Sequence, residues 1–190
     1  MNLGYACINT ALSANKIMTN RTMRRKTFDA QGIDYVSDLA LLNVKDLKTI
    51  VQWNNEMGIK LFRLSSQIFP WTDEYKLSDL KDYDEICELM LEIGEIATNA
   101  NQRLTMHPGP YNCLASPNQK VVEKTIRELN VHSEQFNMLG FEPSNYNKIN
   151  IHVGGAYGDK EATLKRWIKS YYLLDDSTQK RLTIENDDKA

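Results

Sequence analysis

The sequence predicts an α/β protein built on a parallel sheet with crossover helices. Three observations carry that expectation. Five short apolar runs alternate with four longer helical patterns, polar residues gather just after the apolar runs, and the turn after the first run lacks a G-x-G-x-x-G. Alternation of this kind calls for parallel strands joined by helices. Polar residues at strand carboxyl ends suit both an open doubly wound sheet and a (β/α)8 barrel, since both bind ligands there. The missing glycine fingerprint removes support from a dinucleotide fold.

The first strand is expected over residues 2–8, followed by a loop, "SANKIMTNRTMRRKTF", that carries Lys16, Arg21, Arg24, Arg25 and Lys26. A helix over 43–57 follows from the stripe Leu47, Ile50, Val51 and Met57, with Asn43 as its cap. The second strand is 59–64. A helix over 82–100 turns Ile86, Met90, Ile93 and Ala97 to one face, and Asp82 with Glu85 reads as a capping pair. The third strand, 103–106, ends on His107. Ser116, Pro117 and Gln119 read as N-cap, first-turn proline and capping-box positions of a helix over 116–139, with Val122, Ile126, Leu129 and Phe136 inward. The fourth strand, 148–153, contains His152. Asp159 opens a helix to Leu174 that turns Leu164, Trp167, Ile168, Tyr171 and Leu174 inward, and the fifth strand, 181–184, leads into Glu185.

The chain has 190 residues, 42% hydrophobic and 25% charged, with a net charge of −2, which is the profile of one globular domain and not of a disordered chain. Mild acidity argues against wholesale coating of nucleic acid but leaves room for a local basic patch. The three cysteines, Cys7, Cys87 and Cys113, are widely spaced and suit a reducing compartment better than a disulfide scaffold. No run approaches the roughly 18 apolar residues of a membrane span, and the N-terminus lacks the pattern of a signal peptide. A soluble, intracellular protein without a membrane partner is the expectation.

His107, His152 and Glu185 each end a predicted strand. In a parallel barrel those ends face one another around the mouth. Two imidazoles and a carboxylate there suit a borderline divalent ion such as Zn²⁺ or Mn²⁺. Singly, a strand-end histidine is an ordinary hydrogen-bonded residue; the three occur in register in a chain with only three histidines. The third, His132, falls on the buried side of its helix and reads as packing. The basic loop can neutralise several phosphates or be solvated charge. Tyr5, Asn9 and Tyr111 lie near strand ends, where tyrosines stack on bases or simply pack.

Taken together, "NLGYACIN", "LFRLSSQIFP", "LTMHPGPY", "NIHVGGAYGDK" and "LTIENDD" resemble the successive strand-end signatures of the UV damage endonuclease family, in the family's order and along the whole chain. The resemblance implies a TIM barrel, here an incomplete (β/α)8 barrel of about five parallel strands, with residues 1–190 forming its N-terminal portion. It implies a DNA repair nuclease that nicks 5′ to pyrimidine dimers or 6-4 photoproducts with divalent metals, manganese above all, with Mg²⁺ also possible. On matched positions His107, His152 and Glu185 are metal ligands and catalytic residues, and Glu185 has the two oxygens needed to bridge two ions. Tyr5 and Asn9 belong to the pocket for the damaged dinucleotide, Tyr111 enters the duplex, and Arg24 and Arg25 face DNA. A damaged step costs less to unstack, which suits flipping.

Three departures stand beside the resemblance. Pro110 occupies the place of a family glutamine. "FPWTDEYK" holds Asp73 and Glu74 but no histidine after the second strand. The family's later ligands, an aspartate–histidine pair, a histidine beside a modified lysine and a final glutamate, have no counterpart in these 190 residues. A closed barrel takes eight strands and about 250 residues. The expectation is therefore an enzyme completed by a second polypeptide that supplies the missing strands, or a remnant that binds damaged DNA without cleaving it. Self-association through open edges is a further possibility. A sugar isomerase or abasic-site nuclease barrel is the remaining alternative, against which "GYACIN" and "HVGGAYGDK" argue.

Overall fold

The structure, a computed structural model, describes residues 3–185. Its five strands are β1 (Gly4–Ala6), β2 (Leu61–Leu64), β3 (Arg103–Met106), β4 (Ile149–His152) and β5 (Leu182–Glu185). All pair in parallel, in the order β1-β2-β3-β4-β5. A doubly wound sheet reverses its strand order at a switch point. This sheet runs in sequence order, which is the winding of a (β/α) barrel, and it is open, with β1 and β5 at its edges. Asn2 and the "NDD" of the last motif lie outside the described residues.

Six helices connect and cover the strands: α1 (Thr10–Ser13), α2 (Arg25–Glu56), α3 (Tyr83–Asn99), α4 (Gln119–Met138), α5 (Lys160–Tyr171) and α6 (Asp176–Arg181). The core lies between them and one face of the sheet. Phe62 and Leu64, Leu104 and Met106, and Ile149 and Ile151 are all at most 2% exposed on that face. Leu47 of α2, Ile93 of α3 and Phe136 of α4 meet them in one cluster. Side chains alternate across a strand. Residues between these apolar positions therefore point to the opposite face, the interior of the barrel.

Several elements differ from expectation. The helix expected to begin at Asn43 begins at Arg25, so Arg25 and Lys26 are helical and not in a loop. Gly32 at φ 65° interrupts it, and its buried face includes the polar Ser37, Asn43 and Asn54, which mask the apolar stripe. Asn43 is no cap. Fully buried, it accepts from Arg21 N and donates to the carbonyls of Arg21 and Ile68. Asp82 makes no side-chain cap, because its carboxylate accepts from Ser37 of α2, and Glu85 pairs with Lys45. Asn118, not Ser116, caps α4. Leu164 and Ile168 are exposed; Trp167 and Tyr171 of α5 and Leu174 just beyond it pack on the core as expected, and Thr163 and Ser170 take the remaining inward places. Residue 181 ends the unexpected α6. The Arg181 guanidinium, with the residue fully buried, donates to Phe141 O, Glu142 O and Asn137 Oδ1.

Two close approaches fix the packing. An added Cβ at Gly94 of α3 would lie 1.7 Å from the Leu139 carbonyl oxygen at the end of α4. At the β1 edge of the sheet, on the same helix side, Tyr5 stacks obliquely on Phe62, with ring centres 4.9 Å apart. Its hydroxyl donates to Asn54 Oδ1 at 2.7 Å and accepts from Asn9 Nδ2 at 2.9 Å. Asn54 then donates to Gln102 Oε1, and Gln102 to Val51 O. Burial pushes the Tyr5 hydroxyl above its ordinary pKa despite bonds to Asn9 and Asn54.

Gly94→Ala is expected to destabilise the chain by about 3 kcal/mol, since the clash is with backbone and not with a movable side chain; a lower urea midpoint at unchanged slope is the check. Tyr5→Phe leaves an acceptor on Asn54 and a donor on Asn9 without their partner, and is expected to cost about 1–2 kcal/mol in the same measurement.

Candidate metal centre

Strand pairing brings His107, His152 and Glu185 together. His152 sits opposite Glu185 in the β4–β5 register. His107 follows Met106, the one residue of β3 paired with β4. The three offer ligand atoms that all lie within 4.8 Å of one another. The imidazoles of His107 and His152 meet edge to face, with ring centres 5.1 Å apart. His107 is half-buried, and the side chain of Glu185 is 51% exposed, so solvent and a phosphate group can reach the cluster.

Hydrogen bonds orient the donors. Glu185 Oε2 accepts from Asn150 Nδ2 at 2.8 Å and lies 3.2 Å from His107 Nε2. Thr183 Oγ1 donates to Asn150 Oδ1 at 2.9 Å. Asn150 and Thr183 share the face of His152 and Glu185, two residues before each in its strand. His107 Nδ1 lies 3.0 Å from Pro108 O. A neutral imidazole donates one proton, so it satisfies either the carbonyl or the carboxylate, not both. A cation held by Nε2 and Glu185 would resolve that competition, leaving Nδ1–H to the carbonyl, the usual orienting bond of a ligating histidine. Ligands about 2.1 Å from a tetrahedral ion stand roughly 3.4 Å apart, so a small closure of this triangle would seat one. By donor chemistry and spacing, the residues fit a divalent ion.

The other expected site residues lie apart from this cluster. Tyr5 pairs with Phe62 across β1–β2 and faces the helices, not the barrel interior. Asn9, 5% exposed, caps α1 through Leu12 N as well as bonding Tyr5. Both are thus bound into the packing described above. Arg21 pairs with Asp46, and Arg25 with Asp29 and Glu74; Lys16, Arg24 and Lys26 are exposed. Asp73 pairs with Lys124. Its pKa falls below the usual carboxylate range: burial raises it, and Lys124 more than compensates. Tyr111, by contrast, is 90% exposed on the loop after β3. A cleft of about 450 Å³ opens beside it, walled by Phe69, Trp71, Pro110 and Arg127. His132 is buried, as expected.

Asn150 and Thr183, which orient Glu185, are the positions of the candidate site that sequence reasoning passes over. Two-residue periodicity is the signal that points to them: each precedes a ligand candidate by one full strand repeat.

Known proteins match the chain along its whole length. The family model for UV-endonuclease UvdE matches residues 1–190. A putative UV-damage endonuclease of Acanthamoeba polyphaga mimivirus is 40% identical over 190 residues, covering 99% of this chain and 57% of that protein. The UV-damage endonuclease of Schizosaccharomyces pombe is 39% identical over 191 residues, covering 98% of this chain and 31% of that protein. The crystal structure of SacUVDE superposes with a TM-score of 0.87 at 32% identity, over 100% of this chain and 62% of that one. The chain therefore spans from 31% to 57% of the length of these two relatives. Matched from end to end in sequence and superposed along its whole length, the chain belongs to the UV-endonuclease UvdE family.

Proposed function

We propose that the chain serves in the repair of UV-damaged DNA as a metal-dependent endonuclease that nicks the strand 5′ to pyrimidine dimers and 6-4 photoproducts. The observation that carries the reading is the convergence of His107, His152 and Glu185 within 4.8 Å. Family membership supplies the class of substrate: the relatives are named for endonucleolytic action on UV damage. A divalent ion, Mn²⁺ first and Zn²⁺ or Mg²⁺ as alternatives, would generate hydroxide from bound water and neutralise phosphodiester charge. The chain's own residues then have distinct tasks. His107 and His152 offer imidazole nitrogens. Glu185 brings a carboxylate held by Asn150. Tyr111 projects into solvent where a duplex would lie, and the exposed Arg24 and Lys26 can meet phosphates. Pro110 beside Tyr111 offers no hydrogen-bond donor to a base edge. Contact there is then by packing.

The second reading is a damaged-DNA-binding module. It is favoured by a metal cluster of three donors among the described residues and by open sheet edges. A second polypeptide that pairs with β5 and β1 would bring further strand ends to the same mouth.

Incubation of UV-irradiated duplex with Mn²⁺, with and without a polypeptide supplying the remaining strands of a longer relative, separates the two. Cleavage on the 5′ side of the lesion that His107→Ala or Glu185→Gln abolishes supports the endonuclease. Retention of irradiated duplex without a nick in either mixture leaves the binding module, and neither effect sinks both. Asn150→Ala is expected to weaken Mn²⁺ binding about tenfold without loss of fold, as removal of a group that orients a ligand does; calorimetric titration with Mn²⁺ measures it.

A further inference from the structure

Tyr111 stands at the tip of a turn formed by residues 109–112, and the helix that holds the turn uses side chains not yet given a role. Asn112, 8% exposed, donates from Nδ2 to Gly109 O at 3.0 Å and to Glu128 Oε1 at 2.9 Å. Its backbone N–H closes the turn on Gly109 O at 3.2 Å. One residue on, Cys113 N donates to Thr125 Oγ1 at 3.0 Å, and that hydroxyl donates to Val121 O. Thr125, Glu128 and His132 follow at helical spacing on one face of α4.

His132 is 2% exposed, and its Nε2 lies 3.7 Å from Glu128 Oε1 with no hydrogen-bond partner of its own. A buried imidazole left one hydrogen bond short is a cost to the fold. The nearest polar group its Nε2 faces is the Glu128 carboxylate. Burial alone would raise the Glu128 pKa; the nearby His132 imidazole, the Asn112 hydrogen bond and the Lys124 charge outweigh it and hold the group below the usual range. A hydrogen bond to an anion is about twice as strong as one between neutral groups.

We infer that Glu128 is a positioning residue for lesion recognition: its carboxylate, backed by His132, straps Asn112 and so holds the turn that presents Tyr111 to the duplex. The inference rests on the lesion-binding role given to Tyr111 above and deepens it. It separates two parts of the machinery, since the strap belongs to α4 and not to the strands that carry the histidines.

The test is a double-mutant cycle on the full chain, read by fluorescence anisotropy with a UV-irradiated duplex and the same duplex unirradiated. Glu128→Ala is expected to weaken binding to irradiated duplex about tenfold, as loss of a charge-assisted hydrogen bond does, and to leave the unirradiated duplex unchanged. Added to Tyr111→Ala it should cost nothing more, because both act through one contact. Glu128→Gln should retain most affinity, since an amide oxygen still accepts from Asn112. Should Glu128→Ala not fold, Asn112→Ala breaks the same bond from the loop side and is expected to give the same pattern. Additive losses in the double variant, or equal weakening on both duplexes, overturn the proposal. Amide exchange gives a readout without DNA: Asn112 and Cys113 should exchange faster in Glu128→Ala while α3 does not, and unchanged exchange overturns the strap. If the unsubstituted chain shows no preference for irradiated duplex, the functional reading falls, and exchange alone decides whether the strap exists.

Discussion

The candidate site depends on how β4 is held between β3 and β5. On the β5 side the hold is continuous: four successive residues pair, from Ile149 opposite Leu182 to His152 opposite Glu185. On the β3 side it is thin. Met106 opposite Ile149 is the one paired position, against four between β2 and β3. Side chains supply what the ladder lacks. Asn147, 7% exposed, donates to Leu104 O, and the Arg103 guanidinium donates to the carbonyls of Asn145 and Tyr146. The spacing between His107 and His152 is set there. Register matters as much as distance, because a slip of one residue would turn Thr183 and Glu185 to the helix side of the sheet.

Arg181 anchors the far end of the same arrangement. Its buried guanidinium ties the start of β5 to the end of α4 and to the turn that follows. Burial lowers its pKa and Glu142 opposes this, yet an arginine stays charged. A buried charge is tolerated only where acceptors surround it, so the three acceptors fix where β5 must enter the sheet. Gly94 places α4 against α3 with equal strictness, since no side chain fits at that crossing. Helix packing and strand register thus constrain one another through α4.

What could be read from the sequence follows from how local the cause is. β3 lies where the apolar alternation puts it, at Arg103–Met106, and the other strands shift by a few residues at their ends. The histidines and Glu185 were visible because strand-end position is itself a local property. The second half of α2 lies where its stripe of Leu47, Ile50 and Val51 puts it, but residues 25–42 are hidden, since Gly32, at positive φ, and the buried Ser37 and Asn43 break the stripe, the two polar residues being explained by partners far along the chain. The short polar α6 carries no apolar period at all. The basic run read as open to phosphate, but Arg21 and Arg25 reach Asp46 and Glu74, 25 and 49 residues away. Asp82 was drawn from its cap by Ser37 for the same reason. Non-local partners, not local propensity, account for these differences.

The chemistry divides along the same line. His107, His152 and Glu185 are contributed by three consecutive strands, so their convergence needs the pairing of β3 with β4 and of β4 with β5 and nothing from β1 or β2. Tyr111 depends instead on a turn suspended from α4 by Asn112 and Cys113. Two links join them: the short segment from His107 to Gly109, and Cys113, whose Sγ lies 3.1 Å from the Tyr157 hydroxyl and packs against Gly154, two residues after His152. The tyrosine turn thus rests chiefly on helix side chains and the three candidate ligands on strand register, with Cys113 bridging the two.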